Sequence, residues 1–72
     1  MHRVDYLTPR QEEILRAIRQ AITDEGAAPT VAEIAERVGL RSASSVHYQL
    51  RELETKGAIH REPHQPRGIR LA

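Results

Sequence analysis

Residues 30–53 read TVAEIAERVGLRSASSVHYQLREL. Thr30 followed three positions later by Glu33 is a capping box, which satisfies two free backbone N–H groups and starts a helix over about 31–38. Ile34, Ala35 and Val38 line one side of that helix as its buried stripe. Gly39 ends it at a position where positive φ is the usual solution, and Leu40 turns the chain back toward the core. Ser42 then caps a third helix, predicted over about 43–56, with Val46, Leu50 and Leu53 at i, i+4, i+7 as its inward row. The small Ala35 lets the two helices cross closely. A short helix, a glycine turn and a second amphipathic helix make the sequence form of a helix-turn-helix, which lays its second helix in the major groove of DNA.

With Val46, Leu50 and Leu53 inward, Ser44, Tyr48, Arg51 and Thr55 point away, and Ser45 and His47 lie on the flanks. The face carries hydroxyls, an imidazole and a phenol, with little formal charge at its start. Hydroxyls donate or accept, His donates to purine acceptors, and Tyr adds apolar area for a thymine methyl. A purely electrostatic binder would place more Lys and Arg there. The plain alternative is a solvated helix face; what favours base contact is that the face directly follows the Ala-x-x-x-Gly helix-turn unit. Arg41 and Lys56, at the two ends of the helix, are better placed for phosphates.

Upstream, Thr8-Pro9-Arg10-Gln11 is a second helix start, with Thr8 as cap, Pro9 at the first helical position and Gln11 closing a capping box. Ile14, Leu15, Ile18, Ala21 and Ile22 share one face; Glu12, Arg16, Arg19 and Thr23 share the other, with Glu12 and Arg16 spaced for an ion pair. Gly26 stops the helix and Pro29 prevents its continuation. This is a scaffold helix packing on the core. Arg10, in its first turn, is the one candidate there for a phosphate. Residues 1–6 are expected to form a flexible extension.

Downstream, Gly57 stops the third helix. Residues 58–61 (AIHR) and 68–71 (GIRL) alternate apolar and polar as half-buried strands do, and the two prolines of residues 62–67 suit a loop. A two-stranded hairpin after a helix-turn-helix is a wing. Its Arg61, Arg67 and Arg70 are candidates for backbone or minor-groove contact, Arg67 foremost because it sits at the tip beside Pro66 and Gly68. The fold class is thus mainly α: a three-helix winged helix-turn-helix with a C-terminal antiparallel β-hairpin.

Seventy-two residues make one domain, near the lower limit for folding on an apolar core alone, and without Cys no disulfide or thiolate metal site is available. The net charge is +1, but it is unevenly spread. Residues 1–39 carry five Arg against seven Asp or Glu, whereas residues 40–72 carry six Lys or Arg against three Glu. A modestly basic C-terminal half fits a DNA-facing surface. His60 and His64 are i, i+4, a spacing that gathers metal ligands only on a helix, and no third ligand accompanies them. No nucleophile–base–orienter set and no phosphate-cradling glycine loop occurs, so neither enzyme activity, metal nor cofactor is expected. No apolar run approaches a membrane span and no secretory leader is evident, which suggests a soluble cytoplasmic protein.

The segments LTPRQEEILRAI (7–18), APTVAEIAERVGLRSASSVHYQL (28–50), ELETKGAI (52–59) and PRGIRLA (66–72) resemble, in order and spacing, the N-terminal DNA-binding domain of the LexA family of bacterial SOS-response repressors. The resemblance covers about residues 7–71. It implies a winged helix-turn-helix that represses DNA-repair genes by occupying a double-stranded operator as a dimer. By position, Ser42, Ser44, Ser45, His47 and Tyr48 match the family's recognition-helix readers, and Arg10, Arg41, Lys56 and Arg67 match candidates for backbone contact. The proteobacterial version has an Asn and two consecutive Glu where this chain has Ser44, His47 and Tyr48. The SSVH segment is more similar to the Gram-positive and actinobacterial version, which implies a GAAC…GTTC palindrome rather than CTGT…ACAG. Family members continue into a Ser–Lys self-cleaving domain that supplies dimerisation and the contact with the RecA filament. With its end at Ala72, the sequence reads as an isolated DNA-binding domain, monomeric in solution and cytoplasmic at the bacterial nucleoid. The alternatives are a winged helix that binds protein through its third helix, or a winged-helix regulator with another effector, since fold does not fix function.

Overall fold

The computed structural model describes residues 6–72 as three helices and a hairpin: α1 (Pro9–Glu25), α2 (Val31–Val38), α3 (Ala43–Thr55), β1 (Ile59–Arg61) and β2 (Ile69–Leu71). Of the extension expected at residues 1–6, residues 1–5 lie outside the described residues, and Tyr6 packs against α3. Its hydroxyl donates to the Lys56 carbonyl, and its ring lies 5.6 Å from the Lys56 ammonium.

The helix boundaries follow local chemistry. Both capping boxes form: Gln11 N–H donates to Thr8 Oγ1 at 3.2 Å while Thr8 N–H donates to Gln11 Oε1 at 3.1 Å, and the Thr30–Glu33 pair repeats the exchange at 3.1 and 3.0 Å. Ser42 caps α3, its Oγ accepting from Ser45 N–H at 3.2 Å. Gly39 leaves α2 with φ 74, a left-handed conformation that an L side chain adopts only at a cost of about 1–2 kcal/mol. Leu40 N–H then closes on Ala35 O at 3.0 Å, and this wrap makes the sharp turn into α3. At the far end Ala58 N–H reaches Leu53 O and Gly57 N–H reaches Glu54 O, so α3 stops at Thr55 with Lys56 as its cap, one residue short of the expected end.

Ile14, Ile18, Ile34, Val46, Leu50, Leu53 and Ile59 are all fully buried, and each contributes about 1.5–3 kcal/mol of burial free energy. They come from α1, α2, α3 and β1, so no element holds its place alone. Ile22 and Ala35 are half-buried against this core, less covered than their helical faces suggest, because each lies at its edge. The surface of α1 pairs Arg10 with Glu13, at 3.2 Å, rather than Glu12 with Arg16 among the described residues; such exposed pairs are too weak to dictate a partner.

Among the described residues Gln11 is the one buried polar side chain, and both ends of its amide are hydrogen-bonded. Oε1 accepts from Thr8 N–H and, at 2.7 Å, from Lys56 Nζ; Nε2 donates to Gln49 Oε1 at 3.2 Å. The start of α1 is thereby tied to α3 through Gln49 and to its C-terminal cap through Lys56. The strands pair antiparallel with Ile59 opposite Leu71 and Arg61 opposite Ile69. Gly68 closes the wing loop: a Cβ there would lie 2.7 Å from Glu62 O and 2.8 Å from Gln65 Cβ.

Candidate nucleic-acid interface

The helix α3 is seated by Val46, Leu50 and Leu53, all at 0% exposure, and this fixes its rotation about its own axis. Ser42, Ser44, Ser45, His47, Tyr48 and Arg51 are consequently all exposed, Tyr48 at 54%. Ser42 and Ser45 also share a hydroxyl contact of 3.0 Å, so the cap of the helix is part of the same polar face. The serine hydroxyls, the imidazole and the phenol stand clear of the core along the first two turns, exposed to solvent.

The wing lies beside that face. A groove of about 690 Å³ lies between the wing, the start of α2 and one side of α3, with Thr30, His47, Glu54, Arg61 and Pro66 among its walls. Two sets of contacts tie the wing to the rest of the fold. Arg67 grips Glu33 with both guanidinium nitrogens at 2.8 Å and donates to Ala28 O at 3.0 Å. Arg61 Nη2 lies 3.1 Å from His47 Nδ1, and Arg61 N–H donates to Glu54 Oε2 at 3.3 Å. The Arg67 fork first, and the Thr30 N–H second, hold the Glu33 carboxyl down at about 2 from an ordinary 4.5.

The four residues expected at phosphates are placed differently from one another. Arg41 is exposed just before the cap of α3 and makes no ion pair with another described residue. Arg10 donates to Glu13 and, at 2.9 Å, to Val38 O, the last carbonyl of α2. Lys56 is half-buried and engaged with Gln11 and Tyr6. Arg67 is exposed but spent on Glu33 and Ala28. Three of the four therefore brace the fold in the free protein.

Arg70, the third wing arginine, pairs with Glu62 at 3.5 Å. Sequence reasoning did not find the partners Glu33, Glu54 and His47 for Arg61 and Arg67, nor Gln49 for Gln11. These contacts join residues 7 to 38 positions apart, and nothing in local spacing marks them. The strongest hint was Glu33, a capping-box carboxylate with a second oxygen to spare. Among the described residues no group of three or more His, Cys, Asp or Glu is arranged to hold a metal, and no helix is long and apolar enough to cross a membrane.

Residues 4–68 match the family described as LexA DNA binding domain. The chain is 47% identical over 72 residues to a LexA repressor of Mycobacterium leprae, covering 99% of this chain and 31% of that protein. It is 49% identical over 70 residues to one of Mycolicibacterium paratuberculosis, covering 96% of this chain and 30% of that protein. With one of Frankia casuarinae it shares 49% identity over 65 residues, covering 90% of this chain and 25% of that protein. The chain thus spans less than a third of the length of these curated relatives, and the family model it matches describes a DNA-binding domain. A family match across nearly the whole chain, on a winged helix-turn-helix whose third helix turns its polar face outward, places the chain in the LexA DNA-binding domain family.

Proposed function

We propose that this chain binds double-stranded DNA sequence-specifically as the operator-reading domain of a LexA-type repressor of DNA-damage-response genes. The observation that carries the reading is the rotation of α3. Three fully buried aliphatics turn Ser44, Ser45, His47 and Tyr48 outward beside the wing, where a helix can enter a major groove about 12 Å wide. Ser44, Ser45, His47 and Tyr48 read base edges, with Arg51 further along the same face, Ser42 stands at the helix N-terminus, and Arg41 meets phosphate. Arg10, Lys56 and Arg67 reach phosphates only by exchanging their internal partners. The operator is a palindrome of the GAAC…GTTC type, because a face without carboxylates suits different bases from one that carries two. In the whole protein, regions outside this chain supply dimerisation and the RecA contact.

Fluorescence anisotropy with labelled duplexes tests this. Expected is tighter binding to a GAAC…GTTC duplex than to a CTGT…ACAG duplex or a scrambled one, with affinity falling steeply as salt rises. Preference for the CTGT-type site would reject the operator assignment. Absence of duplex affinity at low salt would favour the alternative, a winged helix that binds protein through α3.

A further inference from the structure

The wing arginine Arg61 makes a contact that has no role in holding the core. Its Nη2 lies 3.1 Å from Nδ1 of His47 on α3. A guanidinium carries only N–H donors and stays protonated, so the bond runs one way: Arg61 donates and the Nδ1 lone pair accepts. An imidazole that accepts at Nδ1 holds its proton at Nε2. Arg61 is itself fixed, since its own N–H donates to Glu54 Oε2 at 3.3 Å and its strand pairs with β2 opposite Ile69. The wing that carries it is tied to α2 by Arg67 and Glu33. His47 is exposed, and its Nε2 has no hydrogen-bond partner among the described residues.

We infer that Arg61 is a specificity-positioning residue: it locks His47 in the Nε2–H tautomer, so that His47 meets DNA as a hydrogen-bond donor and selects a purine acceptor, guanine N7 or O6 or adenine N7. This rests on the reading of the chain as a DNA-binding domain. An unrestrained neutral imidazole can donate from one nitrogen and accept at the other, and so tolerates cytosine N4 or adenine N6 as well as purine acceptors. With Nδ1 occupied, only the donor is offered. The wing then contributes to base selection through α3, without itself touching a base.

Two measurements on the 72-residue chain test it. Long-range ¹H–¹⁵N correlation of the His47 ring, at a pH roughly two units above the ordinary imidazole value, reads the tautomer without DNA. The wild type is expected to show one protonated Nε2 and one bare Nδ1, and Arg61→Leu to move both nitrogens toward tautomer-averaged positions. Site selection from random duplexes reads the consequence. Arg61→Leu, which has no donor for Nδ1, is expected to lose about fivefold in discrimination at a single base position, beyond any weakening shared by all sequences. The same substitution in a His47→Ala background is expected to change nothing at that position. A wild-type Nδ1–H tautomer, or nitrogen shifts indifferent to Arg61→Leu, overturns the assignment of Arg61 alone. A locked tautomer in a chain that prefers no duplex sequence overturns the DNA reading, and with it the use given to Arg61. Discrimination unchanged in Arg61→Leu overturns the coupling.

Discussion

Arg67 and Glu33 face each other as two parallel N–H···O bonds of 2.8 Å, joining the tip of the wing to the first turn of α2. The same Glu33 Oε1 also accepts from Thr30 N–H, so one carboxylate both caps a helix and holds the hairpin. A two-stranded hairpin has little stability of its own. This strap, with the Arg67 bond to Ala28 O, decides where the wing sits relative to α3. Arg67→Ala and Glu33→Ala are therefore expected to lower amide-exchange protection across residues 59–71 while leaving α1 unchanged. Equal loss in both variants supports a strut. A change confined to DNA binding in Arg67→Ala, with a salt slope smaller by about one, would mark Arg67 as a phosphate contact instead.

The pH dependence of the strap follows from the depressed Glu33 carboxyl. Its folded value of about 2 lies below the ordinary 4.5, so its contribution is present above about 4.5 and lost as pH falls through about 2. Carboxyl ¹³C titration should find Glu33 still ionised near pH 3.5, roughly a unit below the ordinary value. In Arg67→Ala its midpoint should rise toward the ordinary value. A Glu33 midpoint unmoved by that substitution would show that the guanidinium is not what holds it down.

Leu50 is fully buried between α3 and the rest of the core. Leu50→Ala is expected to cost about 2–5 kcal/mol, a large share of the roughly 5–15 kcal/mol available to a domain. Thermal denaturation followed by circular dichroism should show a lowered or absent transition. Tyr48→Ala, on the opposite face, should leave the transition within about 0.5 kcal/mol of wild type. Equal sensitivity of the two positions would mean that α3 is rotated from the orientation described.

Binding by the isolated 72-residue chain is expected to be weak and to show little cooperativity between half-sites. Joining two copies by a flexible linker able to span the two half-sites should raise affinity by about 10²–10⁴, through effective concentration alone. Tight half-site binding by the unlinked chain would show that tethering is not what the affinity depends on.

The helices and their ends were legible because their signals are local: Thr8 with Gln11, Thr30 with Glu33, Ser42 as a cap, and the row Val46, Leu50, Leu53. The strands were legible from alternation around two prolines. What could not be read was how the wing is held and which cations are occupied. Arg67 reads as an exposed tip residue because its partner lies 34 positions away, and Lys56 reads as a free helix-end cation because Gln11 is 45 away. Gln11 itself reads as a cap and nothing more, although the fold bonds both ends of its amide. Long-range polar contacts leave no periodic trace in a sequence, whereas burial does.

The most direct test is a matrix of single-base changes in a half-site duplex against Ser44→Ala, His47→Ala and Tyr48→Ala. Each variant is expected to relax preference at its own base position by about 1–3 kcal/mol and to leave the other positions unchanged. Uniform weakening across all sequences, or no change in any variant, would contradict a groove-reading role for the outward face of α3.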